Sequence, residues 1–96
     1  MHTLKTNVMN EQISKYRINE YLYNLNAWQY RKIVQLLPKL LGVSLNTFHN
    51  YRRILVDDVQ DVPYEKVVII EQLFDFAPGT LASRNPEARS LKELLH

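Results

Sequence analysis

The sequence predicts an all-α protein, a small helical domain of about five to six helices. Three observations predict it. Apolar residues recur at steps of three and four in successive stretches, helix-capping residues precede those stretches, and no segment alternates apolar and polar residues with sustained period two. A chain of 96 residues, 46% hydrophobic and 23% charged, has enough apolar volume for one core, and one domain over residues 1–96 is expected. No repeat, low-complexity stretch or Pro/Gly/Ser-rich linker divides it.

Taken in order, Asn10 can cap a helix over 11–23, in which Ile18, Tyr21, Leu22 and Leu25 share a stripe and Lys15, Asn19 and Glu20 turn away. Asn26 can cap the next run, where Tyr30, Val34, Leu37 and Leu41 recur at helical steps. Pro38 stands inside that run, so 27–41 reads as one kinked helix or as two with a break near Leu36. Gly42 is a helix stop, Val43 follows, and Ser44 can cap a helix over 45–55. The acidic stretch Val56-Asp-Asp-Val-Gln-Asp-Val reads as a loop, after which Pro63 opens a helix burying Val67, Ile70 and Phe74. A turn over 76–79, a short helical piece over 80–83, and a last helix over 86–95 complete the chain. The last is started by Asn85-Pro86-Glu87 and carries Ala88, Leu91, Leu94 and Leu95.

Composition removes many function classes. The absence of cysteine excludes disulfides, thiolate metal sites and a cysteine nucleophile, and fits a reducing compartment. His2, His49 and His96 have no zinc-ligand spacing, and His49 has no carboxylate or nucleophile on its helical face. Gly42 and Gly79 stand too far apart for a glycine-rich phosphate loop. No enzyme activity, metal or cofactor is therefore expected. No apolar run approaches the roughly 20 residues of a bilayer span, and Met1 to Asn10 lacks the apolar stretch of a signal peptide, so a cytoplasmic location away from membranes is expected.

The formal net charge is only +2, but it is segregated. Between Tyr21 and Val56 stand Arg31, Lys32, Lys39, Arg52 and Arg53 and no acidic residue. From Asp57 to Asp75, six carboxylates, Asp57, Asp58, Asp61, Glu65, Glu71 and Asp75, meet only Lys66. The central third can meet phosphates; equally, the two regions can attract each other across the fold.

The segment Leu37-Pro-Lys-Leu-Leu-Gly-Val-Ser-Leu-Asn-Thr-Phe-His-Asn-Tyr-Arg-Arg rises above a generic helical pattern. Leu37 and Leu41 anchor one helix, Gly42 makes the turn, Val43 fills the angle, Ser44 caps, and Phe48 with Tyr51 hold the second helix to the core. This segment resembles the helix-turn-helix of the Xre/Cro-type, lambda repressor-like family. The likeness runs on through Val62-Pro-Tyr-Glu-Lys-Val-Val-Ile-Ile-Glu-Gln-Leu-Phe-Asp-Phe-Ala-Pro-Gly-Thr-Leu, which is similar to that family's fourth helix and turn. It covers a core of 27–82. Pro38 stands where the family usually has a small residue, and Leu45 where it often has a polar one.

What the resemblance implies is a small regulator that binds double-stranded DNA with the helix over 45–55 in the major groove. With Phe48 and Tyr51 inward and about 100° per residue, Asn46, His49, Asn50 and Arg53 point farthest outward. Asn can pair bidentately with adenine, Arg with guanine, and His can donate to N7, so these four are the expected base contacts. Ser44, Thr47, Lys39, Arg31 and Arg52 are better placed for phosphates. Trp28 and the tyrosines read as core residues at helical spacing. So small a reader needs a homodimer, for which the terminal helices are the candidates, although Leu91, Leu94 and Leu95 could equally cap the core. The alternative is a protein-interaction module, antitoxin-like or an adaptor, binding a protein partner through Asp57 to Asp61 or the termini.

Overall fold

A computed structural model of the chain describes residues 13–95. Among them five helices and no strand are found: α1 Ile18–Tyr23, α2 Ala27–Leu41, α3 Leu45–Arg53, α4 Tyr64–Phe74 and α5 Leu91–Leu94. The all-α expectation holds. α2 lies centrally, against α1, α3 and α4. The core is built from Ile18 and Leu22 of α1, Leu37 and Leu41 of α2, Phe48 of α3 and Ile70 and Phe74 of α4, closed by Tyr16, Ile54, Val62 and Leu81. Tyr21 and Phe74 stack with ring centroids 3.9 Å apart, which joins α1 to α4.

Local chemistry sets the middle of the chain. The Asn26 side chain accepts from the Gln29 amide at 2.8 Å while Gln29 accepts from the Asn26 amide, a reciprocal cap that starts α2. α2 then continues through Pro38 to Leu41, and the break expected near Leu36 does not occur. Pro38 falls in the last turn, so only one interior hydrogen bond is lost, and burial of Leu37, Pro38 and Leu41 offsets it. The end is closed by Gly42 at φ 69°, whose amide meets the Lys39 carbonyl, while the Val43 amide meets the Pro38 carbonyl at 2.9 Å. The Lys66 ammonium caps the Leu41 carbonyl at 2.7 Å.

A Cβ at Gly42 would have no heavy atom within 4 Å, so replacement is opposed by the left-handed backbone alone. Gly42→Val is expected to lower stability by about 1–2 kcal/mol, and denaturant titration measures it. An unchanged midpoint would contradict the left-handed turn.

Four sequence expectations about helices are corrected. The helix expected over 11–23 begins only at Ile18, residues 11 and 12 lying outside the described range. Residues 13–17 form no helix, and two isolated bridges hold this segment, Ser14 with Leu55 and Tyr16 with Ala82. The amides of Lys15 and Arg17 donate to the carbonyls of Ile54 and Leu81 at 2.9 and 2.8 Å. Backbone groups that a helix would have satisfied internally are satisfied by distant chain. The helical piece expected over 80–83 is absent, because Ala82 is used in that pairing. The C-terminal helix expected over 86–95 shrinks to Leu91–Leu94, since Ser90 and Glu93 form the cap in place of Asn85. α3 ends at Arg53, two residues short of the expected Leu55, where Ile54 turns extended and enters the core.

The loop 57–61 is pinned by Lys15. Its ammonium reaches the carbonyls of Asp58 and Gln60 and the Asp61 carboxylate, each at 2.8 Å. That hydrogen bond and charge hold the Asp61 carboxyl below the ordinary carboxylate range. Tyr16 donates to Asp61 and accepts from the Val62 amide, and burial pushes its phenol above its ordinary value. Lys15–Asp61 is the one ion pair among the described residues, so the basic central segment and the acidic stretch do not pair across the fold.

Candidate nucleic-acid interface

The site is organised by α3 and its entry turn. Ser44 adopts extended backbone and its hydroxyl accepts from the Thr47 amide at 3.0 Å, starting α3 as expected. The same hydroxyl donates to Thr47 Oγ1 at 3.0 Å, and the Thr47 hydroxyl proton meets no acceptor among the described residues. Phe48 is fully buried and Tyr51 half-buried, which orients the helix. On the opposite side Asn46, Asn50 and Arg53 are exposed, and no acidic side chain shares α3. These are three of the four expected base contacts.

Two expectations about α3 are corrected by one residue. Arg52 was expected to reach phosphate, but only 9% of it is exposed and its guanidinium is engaged by the protein. Nε donates to Asn19 Oδ1 at 2.7 Å, Nη2 to the hydroxyls of Tyr30 and Tyr23 at 2.8 and 3.5 Å, and Nη1 approaches His49 Nδ1 at 3.4 Å. The guanidinium also lies over the rings of Tyr30, Tyr23 and Phe48 at 5.5, 5.9 and 6.0 Å. Because Arg52 joins Phe48 and Tyr51 on the inner side, the buried arc rotates toward His49. His49 is therefore half-buried at the flank rather than outward, with only its remaining ring nitrogen free for another partner.

The other expected phosphate contacts lie around this face. Ser44 is exposed and Thr47 half-buried at the start of α3, Lys39 is exposed in the last turn of α2, and Arg31 is exposed in its first half. Neither Arg31 nor Lys39 meets a carboxylate among the described residues. Lys32 instead leans on the Trp28 ring, 5.5 Å from its centroid. Trp28 is 62% exposed, and Tyr23 and Tyr64 are also exposed, so their expected core role is not observed. Sequence reasoning missed Asn19, Tyr23 and Tyr30 as partners of Arg52; the signal available was that Arg52 follows Phe48 by four positions, on the same helical side.

Elsewhere, Glu71 is buried and its Oε2 accepts from the amides of Gly79 and Leu81 at 2.9 and 3.1 Å, fastening the loop after α4. Among the described residues no three His, Asp or Glu are grouped to hold a metal ion, and no helix is long and apolar enough to cross a membrane. Compared with known proteins, the chain matches no family model, no curated protein and no solved structure.

Proposed function

We propose that this protein is a small sequence-specific double-stranded-DNA-binding regulator of the Xre/Cro type, acting in the cytoplasm without a cofactor and without enzyme activity. The observation that carries the reading is the outward side of α3, made of Asn46, Asn50 and Arg53 with no carboxylate beside them. Their donors and acceptors match base edges, and an acid-free surface does not repel the phosphates on either side of the groove. A helix of 9 residues is roughly 14 Å long, enough to lie across the major groove. Ser44, Thr47, Lys39 and Arg31 set its register on the backbone.

Specificity from so short a helix requires two copies reading half-sites about 34 Å apart. Leu91, Leu94 and Leu95, respectively 76, 56 and 85% exposed, leave the core to other residues and offer contact surface instead. The same exposed leucines favour the second reading, a protein-interaction module with a protein partner.

Equilibrium binding to duplex DNA across a salt series tests the proposal. Log affinity should fall linearly with log salt, with a slope set by the few phosphates neutralised per protomer. An affinity indifferent to salt would overturn it.

A further inference from the structure

The cluster around Arg52 holds an unbalanced charge. The guanidinium is nine-tenths buried, yet no carboxylate lies within ion-pair distance of it among the described residues. Buried charges are ordinarily paired, because their lost hydration needs replacement. Here Tyr23, Tyr30, His49 and Asn19, all neutral hydrogen-bonding groups, take that place.

Hydrogen-bond polarity gives the arrangement a direction. An arginine can only donate, so each partner must accept from it. The Tyr23 and Tyr30 hydroxyls accept from Nη2, and no acceptor among the described residues takes either phenolic proton. His49 Nδ1 accepts from Nη1, which places the ring proton on Nε2. One buried cation is thereby relayed into three donors, the two O–H groups and the Nε2–H. Tyr23 is 68% exposed and His49 flanks the outward side of α3, so the relay reaches solvent beside the DNA-facing surface.

We propose that Tyr23, Tyr30 and His49, held by Arg52, form a seat for a phosphate oxyanion. Three free hydrogen-bond protons backed by uncompensated positive charge favour an anionic acceptor, and hydrogen bonds to such a group are stronger than neutral ones. Arg52 is a positioning residue: it fixes the hydroxyl acceptors and the His49 tautomer and supplies the field. The phosphate is one of the DNA backbone, and this rests on the DNA-binding reading; a free phosphorylated molecule offers the same chemistry.

The test combines Tyr23→Phe and Tyr30→Phe, each losing one oxygen and no ring, with binding to a selected duplex and to unrelated duplex. Each variant should weaken both by roughly three- to tenfold alike, because a phosphate contact carries no sequence information. Nitrogen-15 NMR of His49 should show the proton on Nε2, and inorganic phosphate should shift its resonances in the wild type but not in the double variant. If the wild type binds DNA while both variants bind equally well, the seat is overturned and the DNA reading survives. If the wild type ignores DNA but inorganic phosphate shifts His49, the DNA reading falls and the seat stands as a site for a phosphorylated small molecule. A proton on Nδ1 would overturn the relay in either case.

Discussion

Phe48→Ala is expected to cost about 3–5 kcal/mol and to lower Tm by more than about 10 °C in a domain of this size. Phe48 is fully buried at the centre of α3, in the cluster that joins α3 to α1, α2 and α4. Truncation removes a whole ring from close-packed surroundings and leaves a cavity, and stabilities of small domains are only about 5–15 kcal/mol in total. The contrast is Leu45→Ala on the same helix. Leu45 is half exposed, so its truncation should stay within about 1 kcal/mol. Thermal unfolding of both variants measures the difference; equal losses would mean that α3 does not face the core with Phe48.

Asn46→Ala and Asn50→Ala are expected to lose about 1–3 kcal/mol each in binding to a preferred duplex, with little change on unrelated duplex. Both side chains are exposed and form no hydrogen bond among the described residues, so melting should remain within about 0.5 kcal/mol of wild type. Arg53 lies at the end of α3, where a groove-bound helix meets the backbone. Arg53→Ala should weaken the preferred duplex selectively where the guanidinium reads a base, and both duplexes together with a shallower salt dependence where it meets phosphate instead. Titrations of labelled duplexes separate the two patterns. Three folded variants with undiminished affinity would transfer weight to the protein-interaction reading.

The parts of this fold readable in advance were those decided within a few residues. Asn26, Gly42 and Ser44 act on backbone groups within one turn, so each could be assigned from its neighbours, and each occupies its expected role. Residues 13–17 could not be read that way, because their partners at Ile54 and Leu81 are about forty and more residues distant. The hint was the two-residue step between buried Tyr16 and Ile18, hidden in a stripe that continues at helical spacing. At the C-terminus, Asn85-Pro86 and Ser90 with Glu93 competed as helix starts, and the reciprocal cap at Ser90 prevailed.

In the candidate site, Asn46, Asn50 and Arg53 followed from the inward positions of Phe48 and Tyr51, since helix geometry fixes one side from the other. Arg52 did not follow. Its charge argued for solvent, while its burial depends on Asn19, Tyr23 and Tyr30, which local spacing cannot bring to it.

Selection of the full chain against a pool of random-sequence duplexes tests DNA reading and site together. The account predicts enrichment of one short sequence pattern, present as paired half-sites about one helical turn apart, whose binding is lost on Asn50→Ala while weak binding to unrelated duplex persists. A pool that emerges unenriched after repeated rounds at low salt, from a protein that is folded, would contradict it.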